Sequence, residues 1–297
     1  MAHNKRSYSR EELYHGGLFN APLIAAIGIF IFIPVIGTIV TSLFRSVTFM
    51  PDKFIGVQNF IRIAGDEHFL SSLSFTVAFV IVSVALELVF GLLFALILNE
   101  KFKGRKFFRI VLLIPWAVPI AVSARLWQLL YNYEFGLLNH IGMSLGIIHS
   151  PVNWLGSPTG AFVSLVLSDV WKTTPFIGII LLAGLSTIPK ELYEQAVIDG
   201  TTYLQRFFKV TLPLLLPVVI VALLFRTIDA VRIFDLIYVL TGGGPGGSTT
   251  SVSMYAFNYY LSGDFGYGSA VSVVLFLFAG LLSVAYLKFG RFGEWTE

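Results

Sequence analysis

Apolar residues run along this chain in long blocks parted by short polar stretches, and six blocks approach the roughly twenty residues needed to cross a hydrocarbon core. The blocks lie at 18–43, 74–98, 108–131, 162–185, 212–240 and 270–287. They predict an all-α integral membrane protein with six transmembrane helices. On this division, 1–17 form a polar tail, 18–43 the first transmembrane helix and 44–69 an outer loop. The five remaining spans form a core domain over 70–288, and 289–297 form a second tail. The first block is too long for the short core of a cleaved signal and reads as a retained span.

The connections carry patterns of their own. The run Phe54-Ile55-Gly56-Val57-Gln58-Asn59-Phe60 predicts a folded rather than a loose first outer loop. Between Gly136 and Ile148, apolar and small residues alternate as expected for a short helix lying at the interface. In the loop after the fourth block, Pro189 suits a first helical turn. Leu192, Tyr193, Ala196 and Val197 then fall on one stripe, with Lys190, Glu191, Glu194 and Gln195 on the other side. Gly200 supplies the left-handed residue that ends a helix, and a second short helix over 202–209 leads to Pro213. This helix–turn–helix either docks into a groove of a soluble partner or rests on the lipid surface.

Composition agrees with the membrane class. Of 297 residues, 56% are hydrophobic and 12% charged, and mean hydropathy is +0.81. Lysine and arginine orient the spans. Lys5, Arg6, Arg10, Lys101, Lys103, Arg105, Lys106, Arg109, Lys190, Arg206, Lys209, Lys288 and Arg291 fall on one side, against Arg45, Lys53 and Arg62 on the other. Both termini are therefore predicted to be cytoplasmic. The net charge of +3 clusters beside the spans, which argues for membrane orientation and against nucleic-acid binding. With no cysteine, and five scattered histidines lacking any ligand spacing, no metal site is expected. The glycine-rich run 242–247 superficially resembles a phosphate loop but lacks the Lys-Ser/Thr that such a loop needs. Any ATP must be hydrolysed by another polypeptide.

Charges within spans are costly and mark pairs or polar cavities. Arg226, Asp229, Arg232 and Asp235 follow at steps of three, forming either a self-neutralising ladder or part of a solute path. Asp169 and Lys172 flank Trp171, and Glu87 and Arg125 complete the charged set. Trp116, Trp127, Tyr131 and Trp171 are candidate aromatic faces for the C–H surface of a sugar, with the charged groups bonding its hydroxyls.

The spacing Glu194-Gln195-Ala196, Gly200, then Val210-Thr211-Leu212-Pro213 resembles the EAA loop of binding-protein-dependent ABC importer permeases, placed here at 188–213. Gln195 stands for alanine and Val210 for isoleucine. Further segments are similar to the carbohydrate branch of that family, the permeases of the maltose and glycerol-phosphate importers. They are 56–60, 136–139, Asn153-Trp154-Leu155, Val170-Trp171-Lys172 with Pro175-Phe176, and 234–245.

The resemblance implies a type I ABC importer permease fold in the inner membrane, with an EAA coupling helix in which Glu194, Gln195, Ala196, Gly200, Leu212 and Pro213 couple the chain to the ATPase. It implies as partners a second homologous permease, two ATP-binding subunits that hold ATP and Mg, and an external solute-binding protein. No cofactor and no catalysis are expected in this chain itself. Trp116, Arg125, Tyr131, Asp169, Trp171, Lys172, Arg226, Asp229, Arg232 and Asp235 are the candidate substrate path. A secondary transporter would instead show paired halves and helices broken at midplane, and a membrane enzyme a nucleophile–base or metal constellation.

Overall fold

The computed structural model describes residues 10–289, with side chains over 19–288. Helix α1 (Arg10–Ile27) continues through a wide π-type turn at Gly28–Phe32 into α2 (Ile33–Ser42). Its apolar run Phe19–Ser42 matches the first predicted span. The helix begins at Arg10, inside the polar stretch, because extending a helix already formed costs little even through polar residues. Lys5, Arg6, Arg291 and most of the tail over 289–297 lie outside the described residues.

The outer loop is folded. A two-stranded hairpin of β1 (Phe44–Arg45) and β2 (Lys53–Phe54) precedes α3 (Gln58–Ala64). Buried Asn59 donates to the carbonyls of Ser42 and Phe44 at 2.9 and 3.0 Å, satisfying backbone groups that the end of α2 leaves free. Helix α4 (Glu67–Asn99) starts seven residues before the predicted second span. Asp66 caps it, its carboxylate accepting from the N–H groups of His68 and Phe69.

The third span is not the continuous helix expected over 108–131. It consists of α5 (Arg105–Ala117) and α6 (Ile120–Leu130), bent 93° apart. Pro119 has no N–H to continue the ladder and drives Val118 into an extended conformation (φ −71°, ψ 132°). After α7 (Leu137–Ser144), Asn139 ties the next turn together. Its Oδ1 accepts from Val152 N–H and from Trp154 Nε1, and its Nδ2 donates to the Val152 carbonyl.

Helix α8 (Pro158–Thr187) follows α4 in register. Phe75 meets Phe162 edge-on at 5.9 Å, Thr173 donates to Glu87 at 2.6 Å, and Gly91 lies against Ile177 and Gly178. A Cβ on Gly91 would stand 2.7 Å from Ile177 Cγ2, so the small residue permits the close approach, as in membrane helix pairs generally. Because both partners advance along the chain together, α4 and α8 run parallel. The chain between them must cross back once, so the bent α5–α6 pair counts as a span despite its break.

Helix α9 (Lys190–Ile198) begins with Pro189 as its cap rather than inside its first turn. The second helix of the predicted helix–turn–helix is not separate: α10 (Tyr203–Arg206) passes through a π-type turn at Phe207–Thr211 into α11 (Leu212–Val231), making one apolar run over Tyr203–Val231. Thr202 and Gln205 form a reciprocal capping box at its start.

The fifth span stops at Val231 instead of reaching 240, and α12 (Asp235–Leu240) is a separate turn of helix. Ser251 Oγ donates to the Ile233 carbonyl at 2.7 Å, satisfying a group that the interruption releases. Beyond the glycine-rich turn, α13 (Val252–Leu261) is an unexpected helix in the connection between the fifth and sixth spans, and α14 (Phe265–Phe289) is the sixth span. Gly184 on α8 packs against Leu215 and Val218, making α11 antiparallel to α8. Helix α2 packs against α14, and Pro34, Thr38, Ser272 and Phe276 line a shallow cavity between them.

Candidate functional site

Glu87, Asp169 and Arg226 come from α4, α8 and α11, yet they meet in the interior. Arg226 is 3% exposed and Glu87 fully buried. Arg226 spreads its guanidinium across both: Nε and Nη2 bond the Glu87 carboxylate, the latter at 2.8 Å, and Nη2 also bonds Asp169. Its Nη1 lies 3.6 Å from Asp229. The planar fork suits this arrangement, since a single arginine donates in several in-plane directions.

Asp169, Lys172 and Thr173 fall at i, i+3 and i+4, one face of α8. Thr173 Oγ1 donates to Glu87, completing its partners. Lys172 Nζ donates to the carbonyls of Trp116 and Val118 at 3.2 and 2.8 Å. These carbonyls are among those that the end of α5 leaves without helical partners. The ammonium thus also neutralises the negative end of a half-helix.

Above this cluster opens a cavity of about 390 Å³, walled by Ile120, Asp169, Lys172, Thr173, Arg226, Asp229, Arg232, Ile233, Phe234, Asp235 and Leu236. It falls within the size range of small-molecule sites. The four charges at steps of three form the ladder in part, with Arg226, Asp229 and Arg232 paired along the chain and Asp235 outside it. Arg226 turns inward to Glu87 and Asp169, Arg232 pairs with Asp229 at 3.0 Å on the open side, and Asp235 belongs to the separate helix α12.

Six of the ten candidate path residues therefore share one cavity: Asp169, Lys172, Arg226, Asp229, Arg232 and Asp235. The other four are elsewhere. Trp116 stacks on Phe176 at 6.0 Å, and Trp171 meets Trp127 edge-on at 5.7 Å. Tyr131 is buried and donates to the Ser164 carbonyl, while exposed Arg125 donates to Gln128. The aromatic that does reach the cavity is Phe234, stacked on Tyr238 at 5.4 Å. It opens the run 234–245 that resembles the carbohydrate permeases but was not among the candidate path residues, since only the break between α11 and α12 turns it inward.

In the segment that resembles the EAA loop, Ala196 is buried, whereas Leu192, Val197 and Ile198 are exposed. The apolar stripe is therefore split: Tyr193 and Ala196 face the protein and the larger aliphatics face away. The Ala196 carbonyl accepts from Thr201 Oγ1 at 2.5 Å, and Tyr193 OH lies 3.2 Å from Thr211 Oγ1. Gly200 has φ +72° with no atom near a would-be Cβ, so its requirement is conformational rather than steric. Glu194 and Gln195 are exposed, and Leu212 and Pro213 open α11.

At the opposite end, Asp66 accepts from Tyr255 OH at 2.5 Å and Tyr267 OH at 2.6 Å. Partial burial opposes its charge, but these bonds and two backbone N–H groups hold its carboxyl below the ordinary aspartate range. Burial and the Asp66 bond push Tyr255 upward. A depressed carboxyl stabilises the fold at neutral pH and loses that contribution as pH falls through its folded value, below about pH 4. The melting midpoint of the solubilised protein is expected to drop across that range. Asp66→Asn should lower the midpoint at pH 7 and flatten the profile, and an unchanged profile would contradict this account.

Residues 87–289 match the family described as "Binding-protein-dependent transport system inner membrane component". The chain is 54% identical to the trehalose/maltose transport system permease protein MalF of Thermococcus litoralis, over 97% of each. It is 39% identical to the sulfoquinovosyl glycerol transport system permease protein SmoG of Agrobacterium fabrum, covering 92% of this chain and 89% of that one. Its fold is similar to that of a chain in the crystal structure of a bacterial alginate ABC transporter in complex with alginate pentasaccharide-bound periplasmic protein. That match has a TM-score of 0.81 at 24% identity, covering 95% of each chain.

Proposed function

The chain belongs to the family of binding-protein-dependent transport system inner membrane components, and from that premise we propose that it is the permease subunit of an ATP-driven importer for a sugar or sugar-like solute. The relatives named for trehalose, maltose and sulfoquinovosyl glycerol support the solute class. The charged cavity offers both donors and acceptors for hydroxyl groups. Phe234 supplies an apolar face there.

The observation that carries the mechanism is mechanical continuity. The cap at Thr202, the run Tyr203–Val231 and the cavity residues Arg226 and Asp229 lie on one helical rod, which at 1.5 Å per residue is about 43 Å long. Displacement of α9 by a docked ATPase would be carried along that rod to the cavity. ATP and Mg are held by two partner subunits, which close on nucleotide and pull the coupling helices. A second homologous permease completes the path, and an external binding protein delivers solute. Alternating access follows as a shift between two global states that nucleotide and solute favour differently. The chain itself is not catalytic, and both termini face the cytoplasm, as the lysine and arginine bias supports.

The test is ATP-dependent sugar uptake in vesicles holding the whole complex. Gly200→Val places a branched residue at φ +72°, costing about 1–2 kcal/mol locally, and Glu194→Ala removes an exposed charge of the docking helix. Both are expected to cut uptake about tenfold, with weakened retention or uncoupled hydrolysis of the ATPase subunits. Unchanged uptake with unchanged assembly would refute the coupling role.

A further inference from the structure

Between the inner ends of α4 and α5 lies an apolar cleft of about 320 Å³, whose walls include Phe94, Leu98, Phe102, Phe108 and Val111. Phe102 and Phe108 meet edge-on at 5.8 Å. Phe94 is five residues from the end of α4, about 8 Å along the helix, so the cleft is shallow.

The connection at its mouth is strongly cationic: Lys101, Lys103, Arg105, Lys106 and Arg109. Among the described residues none of these five forms an ion pair. The Nε of Arg105 is closed off from solvent without a hydrogen-bond partner. Arg105 and Lys106 stand in the first turn of α5, which holds no acidic residue, where the free N–H groups already make the potential positive. The adjacent acid, Glu100, lines a different cavity with Tyr193 and Arg206.

A cation cluster without counter-charge over a shallow apolar cleft calls for a ligand that is anionic at one end and apolar next to it. We infer that this is a binding site for an anionic phospholipid of the cytoplasmic leaflet, its phosphate among the cations and its tail between Phe94 and Val111. Basic pockets between spans on this side of a membrane suit such headgroups. The inference rests on the orientation proposed above, which places this connection on the cytoplasmic side.

The test measures lipid retained by the assembled complex in detergent, comparing phosphatidylglycerol with phosphatidylcholine of the same tails. Phosphatidylglycerol is expected to be retained at least tenfold better. Each cation near an anionic surface is worth roughly fivefold, so joint Lys101→Gln, Lys103→Gln and Lys106→Gln should lower that retention by tenfold or more. Val111→Trp fills the cleft and should lower retention of both lipids, while glycerol phosphate and inorganic phosphate should not compete.

Equal retention of the two lipids, or no loss in both variants, would overturn the site. Competition by inorganic phosphate at equal concentration would overturn it in favour of a free-anion site. Loss of ATPase subunits from the lysine variant with lipid retention unchanged would assign the cations to the protein partner and overturn it likewise. Lys103→Cys, a unique thiol in a chain without cysteine, tests the premise separately. Labelling from outside would overturn the orientation and the site together; labelling from inside without phosphatidylglycerol preference would overturn the lipid site alone.

Discussion

Replacing Arg226 by leucine is expected to destabilise the protein by about 3–5 kcal/mol, because it leaves two buried carboxylates without their counter-charge. Glu87 and Asp169 sit on different helices and share this one guanidinium. Removing it turns an attraction among α4, α8 and α11 into repulsion in a medium that screens poorly. The melting midpoint of the detergent-solubilised complex should fall by roughly 10 °C, with less permease recovered. Neutralising both acids in the same chain, as Glu87→Gln and Asp169→Asn, should restore most of the loss, since an uncharged buried network costs far less to desolvate than an unpaired charge. If the leucine variant keeps the wild-type midpoint, or the triple variant is no better than the single one, the ion cluster does not hold these helices together.

Lys172→Met is expected to loosen the bend between α5 and α6. The ammonium bonds both the Trp116 and Val118 carbonyls, and hydrogen bonds to charged groups contribute about 1.5–3 kcal/mol each. Cavity water can replace part of this, so a net loss of about 2 kcal/mol is expected. That corresponds to roughly thirtyfold faster amide exchange at the start of α6 if opening is local. Lys172→Gln keeps a donor without the charge and should recover part of the protection. Because Lys172 also lines the cavity, solute affinity should change along with exchange. A change in affinity with exchange in α6 unaltered would show that the residue serves the cavity alone and does not cap α5.

Both effects show how far a sequence reaches. The membrane class and the six spans were legible because a hydrocarbon core imposes a length and a hydropathy on every crossing helix, and both are local properties. The helix that follows Pro189 and its end at the left-handed Gly200 were legible for a similar reason, since both are short-range requirements. Its split into a protein-facing Tyr193–Ala196 edge and an exposed Leu192–Val197 edge was not, since burial depends on what packs against the helix.

The two interruptions were missed for different reasons. Pro119 lies within an apolar block that reads as continuous, and a proline inside a membrane helix can either kink it or be accommodated. The end of α11 has no proline or glycine at all, and only its surroundings, including Ser251 at the Ile233 carbonyl, satisfy the freed backbone. That interruption is what turns Phe234 into the cavity.

By itself, the sequence determined that the chain crosses a membrane, how often, and which local signals start and stop the short helix between its fourth and fifth spans. Tertiary structure alone decided that Arg226, besides its i,i+3 pair with Asp229, bonds Glu87 and Asp169 across 139 and 57 residues. It also decided that Lys172 caps a helix 54 residues away. The physical reason is that, in a low-dielectric interior, a charge is held by the nearest opposite charges or free carbonyls in space, and helix packing, not sequence interval, sets which groups those are.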